Sequence, residues 1–278
     1  MKLILLVTIL IFVAALAEKP YIGFKSRPTF SSHVVGGADA NKKEFPYHVS
    51  LQWGLTLSKL KHFCGGAIIN KNWILTAGHC VLFVPRYGRF IVKAGKYLIH
   101  STEISEQSID VDKIIVHESY TGNFSGHNIA LLKLQTPLFF NAAVSSVNLP
   151  KSGTSPIPYI THTFSGWGSV STASAREMAD KLQKADSKLL DSCDEELKKL
   201  TGSSHLRNTN FCTKSINDID FCNGDSGGPL VSKNSSGLLV LVGIATWGVV
   251  PCDTPGAPTV YTKVSAFTEW IETNINNN

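Results

Sequence analysis

The sequence contains three short segments that could act together chemically, although they lie far apart along the chain. His79 follows Thr-Ala-Gly, Asn128 precedes Ile-Ala-Leu-Leu, and Ser226 lies in Gly-Asp-Ser-Gly-Gly. A serine hydroxyl is a poor nucleophile until a base removes its proton, so a serine and a histidine that folding brings together are the minimum for acyl transfer. Gly224 lets the backbone turn, so the N–H groups of Gly224 and Ser226 could face one point and stabilise a developing oxyanion.

The composition indicates a folded protein with a substantial core. Of the 278 residues, 43% are hydrophobic and 17% are charged, which excludes a fibrous or intrinsically disordered chain. The length allows one large domain or two compact halves. The formal charge of +5 includes no basic cluster, so no nucleic acid partner is expected. Several of the basic residues fall within the first 33 residues, at Lys2, Lys19, Lys25 and Arg27.

The N-terminus predicts export. After Met1 and Lys2, a mostly apolar run extends from residue 3 to residue 17 and ends in Ala-Leu-Ala, a pattern that signal peptidase cleaves. The alternative, a membrane anchor, requires about 20 apolar residues. We therefore predict a signal peptide at 1–17 and a secreted, extracellular protein with no membrane attachment. Its cysteines would form disulfides in an oxidising compartment.

Residues 18–33 form a polar stretch with two prolines and no clear periodicity. We predict that this stretch is a removable pro-segment, and the alternative is an ordinary flexible extension.

From Val34 onward the pattern predicts an all-β protein. Short runs of β-branched and aromatic residues alternate with turn residues, as at 90–94, 113–116 and 238–242. A weak boundary at 150–158 would divide two β halves. Helices are predicted at 191–200, closed by Gly202, and at 265–275. The apolar stripe of the second helix should pack against the body of the domain, at Val264, Phe267, Trp270, Ile271 and Ile275.

At these residues the sequence resembles the chymotrypsin/trypsin family of serine proteases, from Val34 to the C-terminal helix. Beyond the His79 and Ser226 motifs, the likeness includes Val-Val-Gly-Gly at 34–37, Gly-Trp-Gly at 166–168, Thr-Trp-Gly at 246–248 and Val-Tyr-Thr at 260–262. The resemblance implies a protease domain at 34–278. Its fold would be all-β, with two six-stranded antiparallel β-barrels, the site in the cleft between them and a C-terminal helix.

The resemblance also implies roles for the residues of the first paragraph. His79 would act as general base and then general acid, Ser226 as nucleophile, and the N–H groups of Gly224 and Ser226 as oxyanion donors. The implied partners are a protein or peptide substrate, an activating protease and possible protease inhibitors. No cofactor and no metal are implied.

Six cysteines in a secreted domain allow 15 pairings, and the sequence alone does not choose among them. A zinc or redox role is the alternative, but the spacings match no ligand motif. The resemblance implies three disulfides, namely Cys64 with Cys80, Cys193 with Cys212, and Cys222 with Cys252.

The resemblance implies activation by a cut after His33, so that the freed ammonium of Val34 pairs with a buried Asp225. Burying Asp225 without a partner would be costly. Such cuts usually follow arginine or lysine, whereas this chain has His33. The Val34 amine is therefore expected to form slowly or through a protease of unusual specificity.

Asn128 is the clearest departure from the family pattern, which has an aspartate that orients the histidine and stabilises its charged form. An amide carries no charge, and its NH2 group can hold the imidazole in the tautomer that cannot accept the serine proton. In the type protease this exchange lowers turnover about ten-thousandfold. Neither Thr246 nor His127 supplies a replacement carboxylate.

The predicted substrate pocket combines conflicting features. Asp220 matches a floor aspartate that favours lysine or arginine, although it could equally be a solvated loop acid. Phe221 and Thr259 add volume, while Gly248 keeps one wall open. Lys96 lies where the family has the first glutamate of a calcium loop, and its charge would repel Ca²⁺.

Two asparagines, Asn123 and Asn234, lie in N-glycosylation sequons. Two functions follow from these observations. The first is a secreted serine endopeptidase weakened by Asn128. The alternative is a catalytically inactive protease homologue that acts as a binding or regulatory protein.

Overall fold

The computed structural model of the chain describes residues 21–23, 38–82, 84–122, 124, 126–168, 178–216, 224–250 and 254–278. Several predicted features lie outside these residues: the signal peptide, His33 and Val34, Asn123, Asp220 and Phe221, and the pair Cys222 and Cys252.

Two short strands precede the main sheets. They are β1 (Tyr21–Gly23) and β2 (Ala38–Asp39). The sequence predicted no regular element in 18–33, so β1 corrects that expectation. Tyr and Ile are strong strand formers, and the edge of a neighbouring sheet supplies the partner that a three-residue strand needs.

The first barrel is a closed ring of six antiparallel strands in the order β3-β4-β5-β8-β7-β6. It closes because β3 pairs with β4 on one side and with β6 on the other, so that Val49 lies opposite both Gly66 and Ala94. The strands are β3 (His48–Gly54), β4 (Lys61–Asn70), β5 (Trp73–Thr76), β6 (Arg89–Ala94), β7 (Gln107–Val116) and β8 (Ala130–Leu134).

The second barrel is also a closed antiparallel ring, in the order β9-β10-β11-β14-β13-β12, with β1 and β2 attached to it. Its strands are β9 (His162–Gly166), β10 (Gln183–Leu189), β11 (Asn210–Ser215), β12 (Pro229–Lys233), β13 (Leu239–Val250) and β14 (Thr259–Lys263). The segment at 150–158 lies between the two rings. The predicted all-β fold with two six-stranded barrels is confirmed.

Three α-helices complete the described part of the chain: α1 (Gly78–Leu82), α2 (Cys193–Thr201) and α3 (Thr268–Asn276). Short 3-10 turns lie at Leu57–Lys59 and Val264–Ala266. Gly202 ends α2 as predicted, in the left-handed region at φ 79°, and its N–H donates to the carbonyl of Lys198.

The predicted start of the last helix was wrong by three residues. The chain forms the 3-10 turn first, and Phe267, with φ −126° and ψ 6°, lies between that turn and α3. The apolar stripe nevertheless packs on the barrels as expected, with Val264, Phe267 and Ile271 buried and Trp270 partly buried. No helix within the described residues is long and apolar enough to cross a lipid bilayer.

Two of the three predicted disulfides lie within the described residues and are confirmed. Cys64 in β4 is bonded to Cys80 in α1, and Cys193 in α2 is bonded to Cys212 in β11. Cys64, Cys80 and His79 lie close enough together to resemble a metal site. Because both sulfurs are used in the disulfide, they are not available as thiolate ligands.

Lys96 places a cation in the loop between β6 and β7, as the sequence predicted. Its ammonium donates to Glu106 Oε2 at 2.7 Å and to the carbonyl of Ser101 at 2.7 Å, and both charged side chains are buried. Burial raises the pKa of Glu106, but the hydrogen bonds from Lys93 and Lys96 outweigh it and leave this pKa below its usual range. A fixed ammonium therefore organises this loop.

Lys96→Met should lower the free energy of unfolding by about 2 to 3 kcal/mol, because it removes one partner of a buried, hydrogen-bonded ion pair. Urea denaturation at pH 7 measures this change. Lys59→Met, at an exposed lysine, is the matched control and should change stability little. Equal stability of the two variants would contradict a structural role for the Lys96 ammonium.

Candidate active site

The register of two neighbouring strands brings His79 and Asn128 together. Thr76, the last residue of β5, lies opposite Ala130, the first residue of β8. Because the strands are antiparallel, the chain that leaves Thr76 and the chain that enters Ala130 lie at the same end of the barrel. His79 comes three residues after Thr76, and Asn128 two residues before Ala130. Both are buried, with 9% and 0% of their surfaces exposed.

The contacts of Asn128 determine how its amide is oriented. Its Oδ1 accepts the backbone N–H of His79 at 2.9 Å, and since that N–H can only donate, the oxygen must face it. The amide nitrogen then lies 3.0 Å from His79 Nδ1, while Oδ1 lies 3.2 Å from the same atom. Both amide atoms are within hydrogen-bond distance of Nδ1, and the NH2 group is the nearer of the two.

This contact favours the tautomer that carries its proton on Nε2. A ring nitrogen that accepts from Asn128 carries no proton of its own, so the proton of neutral His79 lies on Nε2. Nε2 lies 3.8 Å from Cys80 Sγ, a disulfide sulfur that can accept a weak hydrogen bond but cannot donate one. The other tautomer has a partner as well, because Oδ1 is within reach of Nδ1.

Burial lowers the pKa of His79 to about 4, and a bond from the ring N–H to Asn128 Oδ1, which forms only when Nδ1 carries a proton, offsets only part of this effect. At neutral pH the imidazole is therefore uncharged. An adjacent carboxylate would favour the charged form, but the Asn128 amide has no charge with which to do so.

Ser226 lies in a tight turn that contacts the first barrel. Gly224 and Gly227 adopt positive φ values of 91° and 78°, which side chains resist. The carbonyl of Ser226 accepts the N–H of Gly65 at 2.8 Å. An added Cβ on Gly227 would overlap Thr76 Oγ1. The turn therefore lies beside the strand end that leads to His79.

The hydroxyl of Ser226 is buried. None of the residue's surface is exposed to solvent. Within the described residues, Oγ has no hydrogen-bond partner, so it is not bonded to His79 Nε2 in this arrangement. Such bonds are often long or absent until substrate binds.

A chain of hydrogen bonds that the sequence did not predict supports the Gly224 peptide. His62 Nε2 lies 3.0 Å from the carbonyl of Gly224, and His62 Nδ1 lies 2.8 Å from Ser50 Oγ. A carbonyl only accepts, so Nε2 donates and Nδ1 accepts from the Ser50 hydroxyl, which in turn accepts from Gln52 at 3.0 Å. Burial lowers the pKa of His62 to about 4, against the effect of its bond to Gly224.

This relay holds the carbonyl of Gly224, the residue whose own N–H is one of the predicted oxyanion donors. The local sequence does not identify His62 as a site residue, because the alternating pattern of a strand does not distinguish a histidine from any other polar residue. Its contact with Gly224 joins residues that are 162 positions apart.

Asp225 is buried, with 1% of its surface exposed, and its Oδ1 accepts the N–H of Gly168 at 2.7 Å. A Cβ on Gly166 or Gly168 would overlap this carboxylate. The Gly-Trp-Gly motif therefore makes room for Asp225. Its predicted partner, Val34, lies outside the described residues.

The two described residues of the predicted pocket lie next to each other. Gly248 in β13 is opposite Thr259 in β14, and Thr259 is buried. Asp220 and Phe221 lie outside the described residues, so specificity stays a prediction. Asn234 lies in the hairpin between β12 and β13, where its Oδ1 accepts two backbone N–H groups, and its glycosylation also stays a prediction.

Comparison with known proteins gives the family. A family model described as Trypsin matches residues 34–271. The chain belongs to the trypsin family. It is 38% identical to Trypsin-1 of Astacus astacus over 245 residues, which cover 87% of this chain and 99% of that protein. It is 36% identical to Cationic trypsin-3 of Rattus norvegicus over 243 residues, which cover 86% of this chain and 88% of that protein.

A further trypsin-family relative carries a different name. The chain is 30% identical to CLIP domain-containing serine protease B4 of Anopheles gambiae over 275 residues, covering 94% of this chain and 74% of that protein. Homologues of the trypsin family are serine endopeptidases that act on protein or peptide substrates.

Three buried histidines should make the stability of this trypsin-family chain fall on mild acidification. Burial lowers the pKa of His48 to about 3 and the pKa values of His62 and His79 to about 4, whereas all three titrate near 6.5 when unfolded. The unfolded chain therefore binds more protons below pH 6.5. Each histidine then removes up to about 1.4 kcal/mol per pH unit from the free energy of unfolding.

Urea denaturation from pH 7 to pH 5 measures this slope. Ser165 Oγ lies 2.7 Å from His48 Nδ1, and His48→Asn keeps a polar amide beside this hydroxyl. The variant should lose the contribution of one histidine to the dependence of the unfolding free energy on pH. A free energy of unfolding that does not change over this range would contradict the assignment of the three rings as neutral.

Proposed function

We propose that the chain is a secreted serine endopeptidase that cleaves peptide bonds through an acyl-Ser226 intermediate and turns over slowly because of Asn128. The observation that carries this proposal is the 2.8 Å hydrogen bond between the N–H of Gly65 and the carbonyl of Ser226. It holds the nucleophile turn against β4, whose Cys64 is bridged to the neighbour of His79.

In the proposed reaction, His79 Nε2 takes the proton of Ser226 as Oγ attacks the substrate carbonyl. The N–H groups of Gly224 and Ser226 stabilise the oxyanion, and the imidazolium then protonates the leaving amine. Water repeats the steps in reverse and releases the acid. This sequence requires the tautomer with its proton on Nδ1, which donates to Asn128 Oδ1 across the 3.2 Å contact.

Asn128 slows this reaction for two reasons. The closer amide nitrogen favours the unreactive tautomer, and the amide adds no negative charge beside the imidazolium. In a protease with the same three groups, replacing the aspartate by asparagine costs about ten-thousandfold in turnover, which corresponds to about 5 kcal/mol. Slow turnover is the expected behaviour.

The proposal includes activation by a cut after His33. The freed Val34 ammonium would pair with Asp225, whose burial makes a cationic partner favourable. Asp220 on the pocket floor would favour lysine or arginine in the substrate, with Phe221 and Thr259 limiting the depth of the pocket. Glycans on Asn123 and Asn234 belong to the same proposal.

The second candidate is an inactive homologue that binds a partner without cleaving it. The orientation of the Asn128 amide favours it, because the NH2 group lies closer to His79 Nδ1 than the oxygen does. The two candidates differ in whether the Ser226 hydroxyl is nucleophilic.

Covalent labelling by a fluorophosphonate separates the candidates. An introduced enteropeptidase site allows the chain to be cut after position 33. The site is made by the substitutions Thr29→Asp, Phe30→Asp, Ser31→Asp, Ser32→Asp and His33→Lys. After cleavage, mass spectrometry should locate the label on Ser226, and Ser226→Ala should stay unlabelled. No labelling between pH 7 and pH 9 would reject the peptidase and support the binding protein.

Asn128→Asp should raise kcat by at least a hundredfold and up to about ten-thousandfold, with little change in KM. Peptide hydrolysis by the cleaved protein measures this. The new carboxylate should also raise the pKa of His79, so the acid limb of the rate profile should move upward from near pH 4. Asn128→Asp combined with Ser226→Ala must be inactive, which controls for contaminating proteases. An unchanged rate would mean that another group orients His79.

A further inference from the structure

Strand β1 lies on the edge of β13. Its three residues pair antiparallel with the end of that strand, with Tyr21 opposite Val250, Ile22 opposite Val249 and Gly23 opposite Gly248. These residues belong to the predicted pro-segment, ahead of the cut after His33.

The side of β13 that β1 occupies follows from the other pairings. A strand residue has two pairing sides, and Gly248 is already opposite Thr259 of β14. Strand β1 must therefore lie on the other side, the side on which β12 pairs with the earlier part of β13, up to Ile244.

The Ser226 turn lies on this same side. Ala245 accepts the N–H of Gly227 at 2.8 Å and donates its own N–H to Gly228 at 3.0 Å. Only the three steps from Ala245 to Gly248 separate these contacts from β1, about 10 Å along the strand. The nucleophile turn and β1 are therefore neighbours on one edge.

The direction of β1 leads toward the nucleophile. Because β1 is antiparallel to β13, the chain that runs from Tyr21 to Gly23 advances from Val250 toward Ala245. Any extended peptide that pairs in this register directs its next residues to Ser226. Backbone pairing of this kind depends little on side chains.

We propose that residues 21–23 occupy the peptide-binding edge of β13 in the uncut chain and exclude a peptide substrate from it. The inference rests on the proposed peptidase function, because it assumes that this edge of β13 is where a substrate peptide binds. One edge accepts one strand, so β1 and a substrate backbone compete for the same N–H and C=O groups of Gly248–Val250. The complete burial of Ser226 agrees with a closed site.

A cut after His33 would release this occupant. A three-residue strand pair is marginally stable in water. Strand β1 therefore stays on the edge of β13 because residues 24–33 tether it to the rest of the chain, which gives it an effective concentration of about millimolar. Once the tether is cut, the segment dilutes away. Processing would therefore open the edge as well as free the Val34 amine.

Amide hydrogen exchange in the secreted, uncut chain tests the proposal without relying on catalysis. N–H groups alternate between the two sides of a strand, so Ile22→Pro together with Gly23→Pro removes the N–H of β1 that faces β13. Exchange in 248–250 should become at least tenfold faster, while exchange in β3 stays unchanged. Ile22→Ala together with Gly23→Ala retains both N–H groups and should stay within twofold of the parent.

Two further measurements complete the test. The parent with the enteropeptidase site should also exchange faster at 248–250 after cleavage, which covers the case in which the proline variant folds poorly. A fluorescent peptide of residues 18–25 should bind the cleaved Ser226→Ala protein more tightly than the uncut one. Equal exchange in uncut, cleaved and proline-substituted chains would overturn the proposal. Fluorophosphonate labelling reports separately on the peptidase function.

Discussion

The close contact between the nucleophile turn and strand β4 is the constraint on which the rest of the site depends. The N–H of Gly65 bonds to the carbonyl of Ser226, and a Cβ on Gly65 would lie 2.9 Å from Gly228 Cα. Glycine on both sides is what lets two barrels meet at backbone distance. The disulfide next to Gly65 then fixes His79, and the relay through His62 fixes Gly224. Widening this contact would separate Ser226, the proposed nucleophile, from His79, its proposed base.

The electrostatics of the site depend on burial more than on ion pairs. His48, His62 and His79 all have pKa values lowered mainly by burial, so the cleft is organised by neutral rings that donate and accept in fixed directions. In such a setting the charge at position 128 matters greatly for the proposed acyl transfer, because an imidazolium at His79 would have few water molecules to stabilise it. Asn128 contacts His79 Nδ1 through both amide atoms but carries no charge.

The sequence predicted the features that are local or motif-based, and the structure adds those that depend on distant contacts. Two barrels, two disulfides, the stop of α2 at Gly202 and the cation at Lys96 could all be expected from residue types and from the family resemblance. The start of α3 could not, because the break before this helix depends on the non-helical backbone conformation of a single residue, Phe267. The role of His62 depends on a contact across 162 positions. Strand β1 was missed because its partner is the edge of β13, more than 200 residues away, and a polar segment of this length shows no period of its own.

In the two proposals, Asn128 and β1 act on different parts of the same reaction, and this distinguishes what each could regulate. Asn128 would change the chemistry after a peptide has bound. Strand β1 would change access to the edge of β13, and only while residues 24–33 still join it to the rest of the chain. A protein that binds without cleaving has no use for a reactive His79, but it needs that edge as much as an enzyme does. Control of the edge by β1 would therefore serve either function, whereas the charge at position 128 matters only for the enzyme.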